Sequence, residues 1–147
     1  LIVGSLLLTV PGFTQSWAER RMRFATDSRA IHLINVRAGV WIRDHVPVGA
    51  TVGVNDAGAT RYFGGRKTID LVGLNNAALL FSAQPRRLTN IDWLAVFPYV
   101  VAEHPDIGVF EERASFEIPF REYTVCSCPW QTRKVILERL PSAHGNP

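Results

Sequence analysis

The chain has 147 residues, of which 47% are hydrophobic and 20% are charged, and its formal net charge is +3. These proportions fit one globular domain with its own core, and they exclude a chain that is disordered over most of its length. The basic residues are mostly arginines interleaved with acids, and no aromatic residues alternate with them. The composition therefore does not indicate nucleic-acid binding.

The first ten residues, LIVGSLLLTV, form an apolar run that stops at Pro11. The run is shorter than the roughly 20 residues that cross a bilayer, and it lacks the basic start of a signal peptide. Trp17 and three arginines follow it, as at a membrane–water interface. We predict that residues 1–16 are the end of a truncated transmembrane helix; the alternative is a buried N-terminal strand or helix of a soluble protein. The three arginines are Arg20, Arg21 and Arg23.

Residues 17–46 are predicted to be mostly helical. Apolar side chains recur on one helical face between Ile31 and Ile42. The residue before Pro47 avoids the helical region, so the helix should end there. Ser28 would cap the start of this helix, unless the helix runs through from the membrane segment.

The next stretch predicts a strand, a short helix and a second strand. TVGVN, residues 51–55, is typical of a buried strand, and Gly53 inside it indicates a closely packed neighbour. Asp56 would cap a helix of residues 57–63, which the following glycine pair would end. KTIDLVGL, residues 67–74, is nearly continuous in apolar residues, as in a parallel strand buried on both faces.

The rest of the chain predicts a third apolar strand at residues 91–98, and then segments that alternate apolar and polar residues. Such alternation is typical of half-exposed antiparallel strands, here within residues 114–140. We therefore expect an α/β fold: a small Rossmann-like three-layer domain with a mostly parallel sheet, extended by antiparallel C-terminal strands. The domain would occupy residues 17–140, and residues 141–147 would be a disordered tail.

Asp56 directly follows the first predicted strand, whereas Asp70 is followed by further apolar residues and falls inside the second predicted strand. The two aspartates allow two interpretations. As functional groups they would form an acid/base pair, or Asp70 would bind a ribose; the ribose-binding alternative needs a G-x-G-x-x-G turn that is absent here. As structural groups, Asp56 would cap the short helix, and Asp70 would accept hydrogen bonds from the backbone or from Arg61 or Arg66.

Other chemistry has little support in the sequence. The four histidines have no metal-ligand spacing, and neither a hydrolase elbow nor a phosphate-binding loop is present, so we predict no catalytic, cofactor or metal site. Cys126 and Cys128 are only two residues apart, which is too close for an ordinary unstrained disulfide in an extended strand. This spacing favours free thiols over a redox pair. Asn75 and Asn76 follow the second strand, either as a polar turn or as contacts to a sugar or acceptor.

The motif from residue 53 to residue 76 resembles the C-terminal extracytoplasmic domain of bacterial GT-C superfamily glycosyltransferases. The resemblance lies in the P-x-G-A turn, in NDAGA at residues 55–59, in the aromatic pair before a G-R step and in the strand with D-L-x-G-L. DWLAVFP, residues 92–98, matches the next strand of that family. These enzymes take sugar from a polyprenyl-phosphate donor and are related to protein O-mannosyltransferases and arabinosyltransferases.

The resemblance implies an accessory domain on the periplasmic side of a bacterial inner membrane. It would cover the active site and help to position an acceptor, while the catalytic carboxylates lie in a membrane part absent from this chain. Its partners would be that transmembrane part, the membrane and a glycan, lipid or protein acceptor. The arginines at residues 20–23 would by themselves favour the cytoplasmic side. The candidate acceptor-binding rim is Asn55, Asp56, Asp70, Asn75 and Asn76.

Three aromatic residues, Phe97, Tyr99 and Trp130, are candidates for stacking on a sugar, with core packing as the alternative. The alternative hypothesis for the whole chain is a free-standing α/β domain that binds a small ligand or a protein partner at the carboxyl ends of its strands.

Overall fold

The structure, a computed structural model, describes residues 2–72, 90–103, 109–119 and 131–141. Helical backbone continues without a break from residue 2 to residue 45, so the continuous helix, and not a start at Ser28, is correct. Val46, in an extended conformation before Pro47, ends it as predicted. The successive elements are α1 (Ile2–Ile31), a π-helical segment (His32–Val36) and α2 (Arg37–His45).

None of the helices in the described ranges combines the length and the apolar character that crossing a membrane requires.

Two further helices and five strands complete the described part of the chain. The helices are α3 (Ala57–Gly64) and α4 (Pro98–Glu103). The strands are β1 (Thr51–Val54), β2 (Lys67–Asp70), β3 (Trp93–Val96), β4 (Phe110–Glu117) and β5 (Arg133–Arg139).

The strands form one mixed sheet in the order β2-β1-β3-β5-β4. Strands β2 and β3 flank β1 and are both parallel to it, as the apolar runs predicted, and the later strands pair antiparallel. The α/β class with a mixed sheet is therefore confirmed. Strand β2 is shorter than predicted, because its pairing with β1 ends where Val54 meets Asp70. Asp70 therefore lies at the end of the strand and not within it.

The sheet is covered differently on its two faces. Ala38 and Ile42 of α2 pack with Ala57 of α3 against one face, beside Val52 and Trp93. The other face carries a second apolar cluster to which α4 contributes Val100; its strand residues are Leu94, Val96, Val135 and Leu137. Helices α2 and α3 therefore lie on one face of the sheet, and α4 lies on the other.

Two glycines permit the close packing around β1. A Cβ on Gly53 would lie 2.8 Å from Leu94 Cδ2, which confirms that this glycine marks a close neighbour. Gly65 ends α3 in the left-handed conformation with a φ of 58°, and its N–H donates to the carbonyl of Arg61, as the glycine pair predicted.

Candidate functional site

The carboxyl ends of β1 and β3 form a topological switch point. From β1 the chain passes through α3 to β2 on one side, whereas β3 leads on toward β5 and β4 on the other side. In open α/β sheets the connections diverge at such a point and leave a crevice where ligands bind. Asn55 and Asp56 follow β1 directly into this edge of the sheet.

Asn35 is brought to the same edge by the π-helical segment. The N–H of Arg37 donates to the carbonyl of His32, five residues earlier, which is the wider hydrogen bond of a π-helix. The Asn35 side chain is 5% exposed, and its Nδ2 donates to Asp56 Oδ2 at 2.6 Å. The Asn35 carbonyl accepts from Thr60 Oγ1 at 3.4 Å, which ties the segment to α3. Single π-helical turns of this kind occur frequently at functional sites.

Asp56 occupies the N-cap position of α3, but the prediction that its side chain caps the helix is wrong. No hydrogen bond runs from the backbone of the first turn to its carboxylate. The backbone of Asp56 has φ −138° and ψ 88°, and its carboxylate instead accepts a hydrogen bond from the Asn35 amide. The bond to Asn35 satisfies an amide that would otherwise be buried without an acceptor, which is costly.

Lys134 is the residue of this site that the sequence analysis missed. Val96 pairs with Val135, so Lys134, at the second position of β5, lies just beyond the carboxyl end of β3. Its side chain is 0% exposed, its Nζ lies 3.4 Å from Thr60 Oγ1, and the ammonium sits 4.8 Å from the centre of the Phe97 ring. Burial lowers the pKa of Lys134 to about 8, against the opposing attraction of Asp56. The one available signal was a lysine at the start of the apolar run KVIL in a chain with only two lysines.

Two buried amide oxygens of the site have no hydrogen-bond partner among the described residues. They are Asn35 Oδ1 and Asn55 Oδ1. Buried polar atoms are paired in the great majority of cases, and each exception calls for a specific explanation, such as a binding role. The site thus combines free acceptors, a carboxylate and a buried amine within one edge of the sheet.

Asp70 lies at the end of β2, beside the end of β1. It is 6% exposed, and its Oδ1 accepts from the N–H of Val72 at 3.0 Å, so the predicted backbone partner is confirmed. Arg66, one of the two arginines considered as an alternative partner, donates instead to the carbonyls of Val46 and Arg43 at the end of α2. Asn75 and Asn76, the other two predicted rim residues, lie outside the described residues.

The aromatic residues singled out as sugar-stacking candidates pack inward where the structure describes them. Phe97 is 4% exposed and stacks on Tyr99 with ring centres 6.2 Å apart. Trp130, Cys126 and Cys128 lie outside the described residues. Over the described ranges, no group of three or more histidine, cysteine, aspartate or glutamate side chains could hold a metal ion.

The fold and this edge define a class: a mixed α/β domain with a buried polar cluster at the switch point of its sheet. The chain belongs to the family described as a domain of unknown function, DUF8728, which matches residues 19–141. The matched region includes every residue of the polar cluster, which consists of Asn35, Asn55, Asp56, Thr60 and Lys134. No curated protein and no solved structure matches the chain.

Proposed function

We propose that this chain is the extracytoplasmic accessory domain of a bacterial inner-membrane glycosyltransferase that uses a polyprenyl-phosphate sugar. Its role is to cover the active site of the membrane part and to position the acceptor at the carboxyl edge of β1. One observation carries the proposal: an unbroken helical path links the apolar N-terminal run to Asn35, which is bonded to Asp56. Movement at the membrane end would therefore reach the rim through a continuous backbone.

The middle of α1 supports a position at a membrane surface. Residues 17–25 are all exposed, and they include Trp17, Met22 and Phe24 at 53%, 70% and 75% exposure. Exposed apolar side chains beside arginines suit an interface where rings sit at the headgroup level and guanidinium groups meet phosphates. The arginines are Arg20, Arg21 and Arg23.

The edge itself supports acceptor positioning more than catalysis. The Asp56 carboxylate is engaged by Asn35, and the Lys134 amine is enclosed, so neither is free to exchange protons with a substrate. The rim of this proposal is Asn55, Asp56 and Asp70, with Asn75 and Asn76 as further members. The finer fold we propose is Rossmann-like with three layers, since the apolar face lined by Leu94 and Val96 needs a cover that α4 begins.

Three measurements test the proposal. The gene upstream of the Leu1 codon should encode several hydrophobic spans and an early acidic loop, and an alkaline phosphatase fusion after Pro141 should be active. In membranes containing the full-length enzyme, Asn55→Ala should raise the KM for the acceptor and leave the KM for the polyprenyl-phosphate donor unchanged. An open reading frame that begins near Leu1, or an inactive fusion, would overturn the proposal.

A free-standing domain that binds a small ligand or a protein partner at the strand ends is the second candidate. The two unpaired oxygens, Asn35 Oδ1 and Asn55 Oδ1, favour it, because a hydrogen-bond donor from any small ligand would satisfy them. The upstream sequence separates the two candidates.

A further inference from the structure

A groove of about 510 Å³ lies along the middle of α1 and is lined by Ala18, Arg21, Met22, Phe24 and Ala25. Ala18, Met22 and Ala25 follow one another at spacings of four and three residues, so they lie on one side of the helix. Arg21 is the one charged residue of the lining. The groove is therefore an apolar strip with a guanidinium group beside it.

The groove and its surroundings are open to solvent. Residues 17–25 are all exposed, and they cover about two and a half helical turns, so the described part of the domain covers no side of α1 here. The side chains of Met22 and Phe24 are 70% and 75% exposed. An exposed apolar patch that is rimmed by polar residues marks an interaction site.

Three arginines surround the groove and are available to a partner. Among the described residues, Arg20, Arg21 and Arg23 form no hydrogen bond, ion pair or ring contact. By contrast, Arg113 on the sheet is paired with carboxylates. Residues 17–25 contain these three arginines and one acid, Glu19, so the net charge of the segment is +2. Guanidinium groups bind phosphate oxygens in a bidentate manner, so the segment favours an anionic phosphate.

An apolar groove beside unpaired guanidinium groups fits an amphiphile with an anionic head. A nucleic acid would satisfy the arginines but would leave Met22 and Phe24 in water. A second copy packed in parallel would set each arginine near its own equivalent, and the like charges would repel. A phospholipid surface meets both requirements, because its phosphates bind the arginines and its interfacial layer accepts the apolar side chains.

We propose that residues 17–25 form a site selective for anionic phospholipids. In this site Arg20, Arg21 and Arg23 bind headgroup phosphates, while Met22 and Phe24 enter the bilayer surface. The selectivity follows from net charge, because an anionic surface attracts each nearby arginine and a zwitterionic surface does not. The site does not depend on the glycosyltransferase proposal, since its argument uses only the exposure and charge of α1.

Vesicle binding by the full 147-residue chain tests the selectivity. One set of vesicles is phosphatidylcholine alone, and the other contains equal parts of phosphatidylcholine and phosphatidylglycerol. The apolar run of residues 1–10 is common to both titrations, so the ratio of the two affinities isolates the effect of charge. The anionic vesicles should bind at least about tenfold more tightly, since each arginine near an anionic surface contributes about fivefold and Glu19 offsets part of this gain.

Replacement of the three arginines by glutamine should bring this ratio close to one, and added salt should lower the ratio for the parent chain. Arg61→Gln is the matched control, because it removes an exposed arginine of α3 and should change the ratio by less than about twofold. Circular dichroism of each variant shows that a change in binding is not a loss of fold.

Met22 gives a second, local readout, because it is the only methionine of the chain. A ¹³C-labelled methionine methyl group therefore reports on the groove, and Met22→Leu assigns its NMR signal. In nanodiscs with spin-labelled headgroups, the signal should broaden more with phosphatidylglycerol than with phosphatidylcholine alone. Arg21→Glu should reduce the broadening to the level seen with phosphatidylcholine.

Equal binding of the parent chain to both kinds of vesicle, or the same ratio for the parent and the triple variant, would overturn the site. Tighter binding to a double-stranded DNA oligonucleotide than to the anionic vesicles would assign the arginines to a nucleic acid and overturn it as well. A Met22 signal that shifts with chain concentration in the absence of lipid would assign the groove to a second copy, with the same consequence.

This proposal and the proposed function fail separately. An inactive phosphatase fusion with intact lipid selectivity removes only the glycosyltransferase proposal. An active fusion without lipid selectivity removes only the phospholipid site.

Discussion

Asn35 and Asp56 are 21 residues apart in sequence, and a 2.6 Å hydrogen bond from Nδ2 to Oδ2 joins them. The bond connects the π-helical segment to the residue that follows β1, so it links the helical path to the carboxyl edge of the sheet. It also explains why Asp56 stands at an N-cap position without capping. The pair is the most informative point at which to perturb the site.

Asp56→Ala should lower the free energy of unfolding by about 2 kcal/mol, because it leaves the Asn35 amide buried without its charged acceptor. The loss of an N-cap alone would cost about 1 kcal/mol. A double-mutant cycle with Asn35→Ala, measured by urea denaturation, should show that the two losses are coupled by about 1 kcal/mol or more. Asp44→Ala, in an exposed pair with Arg43, is the control and should change little. Additive losses at positions 35 and 56 would contradict the interpretation.

The sequence predicted what local chemistry determines. The end of the helix before Pro47, the strand carrying Gly53 and the left-handed stop at Gly65 each follow from one residue type in one local conformation. The parallel pairing of β1 with β2 and β3 also followed from their runs of apolar residues. Burial on both faces holds for β1 and β3, but it is wrong for the edge strand β2, in which only Asp70 is fully buried.

The polar cluster could not be predicted in the same way. The partner of Asp56 depends on the widened turn of the π-helical segment, and no pattern around Asn35 marks it. Lys134 reaches the site only because the antiparallel register sets Val135 opposite Val96, more than 70 residues from Thr60 along the chain. Such contacts depend on tertiary packing, which periodicity and propensity do not describe.

Lys134→Met should remove a pH dependence of stability. The pKa of Lys134 is about 8 in the folded chain, against about 10.4 in an unfolded one, so the unfolded chain binds the proton more tightly. The cost of burying the ammonium is fully present below pH 8 and is relieved as the pH rises to about 10.4. Over that window the parent chain should gain about 3 kcal/mol from this group.

Urea denaturation at pH 7, 8, 9 and 10 measures this dependence. Because other groups titrate in the same window, the diagnostic quantity is the difference between the parent chain and Lys134→Met. The variant should be more stable at pH 7, by up to about 3 kcal/mol, and the difference should shrink toward pH 10. Asp56 is the facing charge that favours the ammonium, so Asp56→Asn should move the window to lower pH. A difference that does not vary with pH would show that Lys134 titrates normally.

Gly39→Ala should disturb the contact between α2 and α3. A Cβ at this position would lie 2.9 Å from Phe63 Cβ and 3.0 Å from the carbonyl oxygen of Thr60, and the backbone atom cannot move aside alone. Overpacking of this kind costs about 1–3 kcal/mol. Gly49→Ala is the matched control, because nothing lies within 4 Å of its Cβ. Equal melting temperatures for the two variants would contradict the close packing.

Gly65→Ala tests whether the left-handed stop of α3 fixes the carboxyl edge. With a φ of 58°, an alanine would place its Cβ against the neighbouring carbonyl, at a cost of about 1–2 kcal/mol. Beyond the two neighbouring residues, no atom lies within 4 Å of a Cβ at Gly65, so any destabilisation must come from the local backbone and not from tertiary crowding. Gly65→Asn should recover part of the loss, because asparagine tolerates this conformation better. If alanine and asparagine lowered the midpoint of urea denaturation equally, the left-handed geometry would not be the cause.

The next residue, Arg66, clamps the end of α2 through the carbonyls of Val46 and Arg43. We therefore expect Gly65→Ala also to speed amide hydrogen exchange at Val46, which connects the stop of α3 to the end of α2.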